Sequence, residues 1–264
     1  MLPEVSWQAV GGLRAGYDIE MNQSPPGVER VAFFGGSFDP PHQGHLAVAR
    51  AAQKALALDR VLFVPVGAQP LKPEGSAASF EDRVEMTRLA IAGEPQFEVS
   101  LLDEPGDLAG PNYTVDSLLR LRGELPFGAM LFCLMGADSF LSLRRWYKAA
   151  EIPFLASVVV ASRPGLPLGD IQGALPDGLA ILSDISVHSA APGRGLGSGD
   201  VRWYLVGSAD GRTAPLYLLP WLHVEVSASE IRDAIQAVDA AFRPQAPLLC
   251  PAVLEYIQSH GLYR

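Results

Sequence analysis

The sequence predicts an α/β fold in which a doubly wound parallel sheet carries helices on both faces, with a C-terminal helical portion and an inserted loop and hairpin. Three observations predict it. Between Val31 and Ala161 short apolar runs alternate with stretches of good helix formers, the rhythm of successive strand–helix–strand units. The run Met130 to Met135 carries no charged or amide side chain, as a strand covered on both faces should. The first run stops at Gly35-Gly36, just before a long helical stretch. In such a sheet a ligand binds beyond the carboxyl ends of the strands, near the point where strand order reverses.

Residues 1–29 show no sustained period and include Gly11-Gly12 and Pro25-Pro26, so a loosely ordered extension is expected, with Met21 a possible alternative start. Val31 to Phe34 is the first strand. Leu46 to Leu58 is Ala-rich and helical. Val61 to Val66 reads as the second strand, and Ser79 before Phe80-Glu81-Asp82 is a capping-box-like start to a helix reaching about Ala92. Phe97 to Leu101 is a third strand, and the spacing of Val115, Leu118 and Leu119 makes Thr114 to Arg122 helical. Met130 to Met135 and Ser157 to Ala161 are the fourth and fifth strands. From Arg163 to Pro215 the rhythm changes, since 15 of the 48 Gly and Pro residues fall there. Within it, Val201 to Val206 and Thr213 to Leu219 flank Ala209-Asp210-Gly211 as a hairpin, and Ser189 to Asp200 is the most loop-like part. A strand at Leu222 to Val226, a helix from Ser229 to Ala237 and a last helix from Pro251 to Ser259, ended by Gly261, restore the pattern. Residues 30–264 therefore read as a single domain with an insertion at about 165–215, a lid or an oligomer contact by its position.

Composition bounds the function. With 20 Lys and Arg against 29 Asp and Glu in 264 residues, the net charge of −9 disfavours a partner such as bulk nucleic acid or an anionic membrane. No apolar stretch approaches the length needed to span a bilayer, and the start lacks the basic-then-apolar order of a secretory signal. Cys133 and Cys250 lie far apart in apolar contexts, which fits buried free thiols in the cytoplasm.

The chemistry concentrates in Gly35-Gly36-Ser37-Phe38-Asp39-Pro40-Pro41-His42-Gln43-Gly44-His45. Paired glycines let the backbone approach a ligand and turn peptide N–H groups toward phosphate oxygens, and Ser37 adds a hydroxyl. Pro40 and Pro41 stiffen the loop and lead it into a helix start, where the macrodipole favours negative charge. His42 and His45 share a helical face, and Gly44 between them removes a side chain that would block a base or phosphate. Two imidazoles at a helix start suit an anion that gains charge, as when a phosphate oxygen attacks the α-phosphorus of a nucleoside triphosphate. The bland alternatives are a surface pair or a zinc pair. Zinc would need two further ligands, and no third clustered His or Cys pair is present.

At these residues the sequence resembles the HxGH nucleotidyltransferase superfamily, and within it the bacterial nicotinate-nucleotide adenylyltransferases. The superfamily likeness rests on that loop and on Val226-Ser227-Ala228-Ser229-Glu230-Ile231-Arg232. The narrower likeness rests on Asn112-Tyr113-Thr114-Val115-Asp116-Ser117-Leu118, on Gly136-Ala137-Asp138-Ser139-Phe140 with Leu143 and Trp146 downstream, and on the ending Tyr256-Ile257 to Gly261-Leu262-Tyr263.

The resemblance implies a Rossmann-like nucleotidyltransferase fold and adenylyl transfer from ATP, with Mg2+, to nicotinate mononucleotide in NAD biosynthesis. It implies His42 and His45 as catalytic, with His45 at the α-phosphate, and no metal ligand among the protein side chains. ATP would meet Gly35, Gly36, Ser37, Phe38, Gly44, Gly136, Asp138, Ser227, Ser229 and Arg232. The mononucleotide would meet Tyr113, Thr114, Trp146 and Tyr147, with the Trp146 ring on the pyridine and backbone amides near Thr114 and Tyr147 on its carboxylate; Lys72, in a Pro-rich loop past the second strand, is a further basic candidate for it by position. Alone, Ser227 and Ser229 are equally good helix caps, Asp138 a helix-capping residue, Trp146 a core residue, and Arg83 and Arg163 solvated charges or phosphate ligands. Ala228 stands where the family has a hydroxyl, and Ser37 where it more often has Thr. Other HxGH transferases using nicotinamide mononucleotide, phosphopantetheine or a cytidylyl group, and a non-catalytic nucleotide sensor, remain as rivals at this point.

Overall fold

The computed structural model describes residues 28–71, 74–106, 110–161, 171–184, 201–219, 226–237 and 248–264. Lys72, Arg163, residues 1–27, Ser189 to Asp200 and all but the last residue of the strand expected at Leu222 to Val226 lie outside them.

Among the described residues eight strands form one sheet. They are β1 (Arg30–Gly36), β2 (Arg60–Pro65), β3 (Phe97–Val99), β4 (Met130–Gly136), β5 (Ser157–Ala161), β6 (Leu179–Asp184), β7 (Arg202–Ser208) and β8 (Thr213–Leu219). Their order is β3-β2-β1-β4-β5-β8-β7-β6, parallel from β3 through β8, with β7 and β6 antiparallel. Strand order reverses between β1 and β4, so their carboxyl ends, Gly35-Gly36 and Gly136, flank the switch point.

The helices are α1 (Gln43–Leu56), α2 (Phe80–Ile91), α3 (Thr114–Glu124), α4 (Ala137–Ser142), α5 (Ile152–Leu155), α6 (Ile171–Ala174), α7 (Ala228–Gln236) and α8 (Pro251–His260). Alternation along β1 divides the core. Ala32 and Phe34 face α1, α2, α7 and α8 through Leu46, Ala49, Met86, Ile231, Val253 and Ile257. Val31 and Phe33 face α3, α4 and α5 through Val115, Leu118, Phe140 and Ile152. Both faces are thus covered, as double winding requires.

The hairpin expected inside the insertion forms, but it does not stand apart from the main sheet. β8 pairs in parallel with β5 from Val158↔Leu216 to Ala161↔Leu219, and β7 and β6 extend the sheet beyond it. The physical reason is burial: Leu216 and Leu218 on one face alternate with Tyr217 and Leu219 on the other, so leaving β8 as an appendage would expose them. Both cysteines are free, with Cys133 buried and Cys250 only half-buried.

Candidate active site

The loop between β1 and α1 is fixed from three sides. The carboxylate of Asp39, only 4% exposed, accepts the N–H groups of Ala77 and Ala78 at 2.7 and 3.1 Å and the hydroxyl of Tyr263 at 2.7 Å. Its carbonyl accepts a guanidinium N–H of Arg232 at 2.7 Å. Arg83, 2% exposed, donates from Nη1 to the carbonyls of Ser37 and Val66 at 2.8 and 2.9 Å. It is therefore neither a solvated charge nor a phosphate ligand. Its guanidinium ties the loop after β1 to the one after β2. The Gln69 side chain adds a hydrogen bond to the Ser37 hydroxyl.

Within this frame Phe38 turns through the left-handed region (φ 49°), a conformation costing a non-glycine residue on the order of 1 kcal/mol. Its ring compensates by complete burial among Phe34, Phe63 and His45. The Phe38 ring is therefore part of the core, and a contact with ATP at this residue falls to its main chain.

His42 is the N-cap of α1 and His45 lies one turn in, with their rings stacked at 3.8 Å. The backbone N–H of His42 donates to Nδ1 of His45 at 3.1 Å. A neutral His45 must then carry its proton on Nε2, which makes that nitrogen a donor. Burial holds the His42 ring down to about 4 despite the pull of Glu230, and burial followed by His42 holds His45 well below the usual imidazole range. Both imidazoles are neutral donors at pH 7, not the standing cations that a helix start facing an anion suggests.

This burial has a stability consequence. A His42 held at about 4 when folded, against about 6.5 unfolded, lets the unfolded chain take up protons first as pH falls. Its contribution is intact above pH 6.5 and lost on descending toward pH 4. Between pH 7.5 and pH 5 the loss from this ring is about 2 kcal/mol, given a folded value of about 4. Denaturant titrations at both pH values should show a smaller loss in His42→Gln than in the unaltered chain; equal losses would place the titration elsewhere.

Gly44 serves the pair differently from the expected opening for a ligand. A Cβ there would lie 2.9 Å from the His42 ring and 3.1 Å from Val226, so the space is already filled by these side chains. The start of α7 therefore packs directly on the start of α1. Ser227 caps α7 in a reciprocal box with Glu230, its hydroxyl accepting the Glu230 N–H at 3.2 Å while the Glu230 carboxylate accepts the Ser227 N–H at 3.0 Å. The hydroxyl is used as a cap. Ser229 is exposed and accepts from Nη2 of Arg232 at 3.3 Å, leaving further guanidinium N–H groups for an anion.

Beside the loop opens a cavity of about 710 Å3. Gly35, Gly36 and Ser37 form one wall, Phe33 and Cys133 to Met135 the floor, and Tyr113, Thr114, Trp146 and Tyr147 the far side. Tyr113 caps α3 and Thr114 is its first residue, so first-turn N–H groups face this end. The Tyr113 and Tyr147 rings lie 4.4 Å apart, and the Trp146 indole N–H is held by the Ser142 hydroxyl at 3.2 Å. Gly136 and the exposed Asp138 begin α4 at the neighbouring strand end, where Gly136 faces open space. Gly35, Gly36, Ser37, Tyr113, Thr114, Trp146 and Tyr147 thus line an aromatic cavity, while His42, His45, Ser229 and Arg232 lie on an adjoining edge formed by α1 and α7. The loop from Gly35 to Asp39 joins them.

The chain matches the cytidylyltransferase-like family over residues 33–234. It is 45% identical over 235 residues to a Gloeobacter violaceus protein described as "Probable nicotinate-nucleotide adenylyltransferase", covering 89% of this chain and 96% of that one. The chain belongs to the nicotinate-nucleotide adenylyltransferase family. A Laribacter hongkongensis member described in the same words is 37% identical, over 89% of this chain and 94% of its own. The fold is also that of Plasmodium falciparum nicotinic acid mononucleotide adenylyltransferase, solved with NaAD, at a TM-score of 0.61 and 15% identity over 89% of this chain and 97% of that one.

Set against the family pattern, the structure accounts for residues that sequence reasoning passed over. Asn112 donates its N–H to the Ala68 carbonyl at 2.9 Å and accepts the Ala68 N–H on Oδ1 at 2.8 Å. Gly67 permits that junction, since a Cβ there would lie 2.5 Å from the Asp103 carbonyl oxygen. Asp39 stands inside the quoted motif, and Tyr263 in the quoted ending, but nothing in either segment announces that they meet.

Proposed function

We propose that this family member transfers the adenylyl group of ATP to nicotinate mononucleotide, forming deamido-NAD and pyrophosphate in NAD biosynthesis. The observation that carries the reading is the single loop from Gly35 to Asp39, which lines the aromatic cavity at one end and holds Arg232 beside the stacked histidines at the other. A mononucleotide in the cavity then presents its phosphate to a triphosphate lying along the helix starts.

An oxygen of the mononucleotide phosphate attacks the α-phosphorus of ATP; one P–O bond forms as the bond to the β-phosphate oxygen breaks. The attacking phosphate is already ionised, so no protein base is needed, and positioning and charge stabilisation supply the catalysis. Nε2–H of His45 donates to the α-phosphate as negative charge grows there, with His42 stacked behind it. Amides of Gly36 and Ser37 cradle the phosphates, while Ser229 and Arg232 hold the outer ones. Gly136 and Asp138 receive the adenosine half. Magnesium enters with ATP as part of the substrate. The two free thiols fit a cytoplasmic setting.

Pyrophosphate release measured side by side with nicotinate mononucleotide, nicotinamide mononucleotide and phosphopantetheine tests this function. The greatest kcat/KM is expected with the first, and a preference for phosphopantetheine would overturn the reading. Within the cavity, Trp146→Ala should raise KM for nicotinate mononucleotide roughly tenfold or more, the scale of one lost aromatic stack, with KM for ATP little changed. An equal rise for ATP would make the indole structural.

A further inference from the structure

On the adenylyl-transfer reading the cavity must receive a dianionic phosphate and a carboxylate, yet the protein is acidic overall, with a net charge of −9. Among the described residues two charged side chains line the cavity, Asp103 and Arg145. Asp103 is 4% exposed and already committed: it accepts the Ser117 hydroxyl at 2.6 Å and the Arg120 guanidinium at 3.0 Å. Arg145 is exposed and makes no ion pair or hydrogen bond to the described residues. Its neighbour Arg144 does not line the cavity and lies 3.9 Å from Asp177.

The local turn explains this division. Leu143–Arg145 is one turn of 3-10 helix, closed by the Trp146 N–H on the Leu143 carbonyl at 2.9 Å. Three residues per turn bury Leu143 and leave both arginines outside, pointing to different sides. The same chain reversal delivers Trp146 and Tyr147 to the cavity, so the Arg145 guanidinium accompanies the aromatic wall.

We propose that Arg145 is a specificity-determining residue that pairs with the pyridine carboxylate and favours the acid over the amide. The inference rests on the adenylyl-transfer reading above. The features suited to the reacting phosphates, His45, Ser229 and Arg232, do not line the cavity and adjoin it only through the Gly35–Ser37 wall. A mononucleotide with its phosphate at that wall places its ring on the aromatic side, where Arg145 is the one cation lining the cavity among the described residues. A planar guanidinium offers a carboxylate two parallel N–H donors; a carboxamide, with one acceptor oxygen and no charge, gains far less.

Steady-state kinetics with nicotinate and nicotinamide mononucleotides on the unaltered protein, Arg145→Gln, Arg145→Lys and Arg144→Gln test it. Arg145→Gln should lower kcat/KM for the acid roughly tenfold to a hundredfold, chiefly through KM, and leave the amide within about twofold. Arg145→Lys should recover part of the loss. Arg144→Gln, which removes the same charge one residue away, should leave the acid-to-amide ratio unchanged. An equal fall for both substrates would assign Arg145 to the shared phosphate and overturn the proposal, as would an unchanged ratio in Arg145→Gln. If the unaltered protein uses neither mononucleotide, the adenylyl-transfer reading itself fails, a result distinct from either of these.

Discussion

Replacing His45 with alanine is expected to lower kcat by about 10²–10³, the cost of deleting one preorganised donor aimed at a developing charge. ATP affinity should fall only modestly, because the donated hydrogen bond strengthens as charge accumulates on the α-phosphate and is weaker in the ground state. The geometry sharpens this expectation. The His42 N–H fixes the His45 tautomer, so Nε2–H is presented without any proton having to be acquired. The alanine variant retains Arg232, Ser229 and the loop amides, and these preserve most of the ground-state hold on the triphosphate. Pyrophosphate release at saturating substrates, with ATP binding measured separately by calorimetry, separates the two effects. Near-normal turnover would remove His45 from the chemistry.

The largest stability effect is expected at Asp39. Its carboxylate satisfies two backbone N–H groups and the Tyr263 hydroxyl in a buried setting. In Asp39→Ala these three donors lose their acceptor together. A buried donor left unsatisfied costs about 1–3 kcal/mol, so a loss of several kcal/mol is expected, short of the simple sum because neighbouring terms are not additive. Activity should fall as well, since the same residue's carbonyl anchors Arg232. Denaturant unfolding of Asp39→Ala, Tyr263→Phe and the double variant gives the coupling between the two side chains. A positive coupling near 1 kcal/mol or above is expected for a hydrogen bond to a charged group. Additive losses would mean that the carboxylate and the C-terminal hydroxyl act independently.

The local sequence makes much of this molecule legible and leaves its long-range closures hidden. The β1 loop is readable because Gly-Gly, Pro-Pro and a spaced His pair each restrict the backbone or the chemistry locally, and the strand–loop–helix context follows from the apolar runs beside them. The end of α8 is readable for the same reason, since Gly261 takes the left-handed conformation that a helix stop requires. By contrast, the partners of Asp39 lie up to 224 residues away, in segments whose own patterns predict only a loop and a chain end. The hairpin of β7 and β8 shows its strands in its alternation, but alternation does not say which sheet edge receives them. β6 is missed because an edge strand buried on alternate residues only, with Ser183 and Asp184 at its end, carries little apolar signal. Arg83 and Arg145 look alike in sequence, and only the packing separates a buried guanidinium that ties two loops from one that faces a cavity.

The most direct test is a crystal structure with a non-hydrolysable ATP analogue and nicotinate mononucleotide bound together. The triphosphate is expected across the starts of α1 and α7, with Nε2 of His45 within hydrogen-bonding distance of an α-phosphate oxygen and the pyridine ring against Trp146. Both nucleotides bound elsewhere, with the Gly35–His45 loop touching neither, would contradict it.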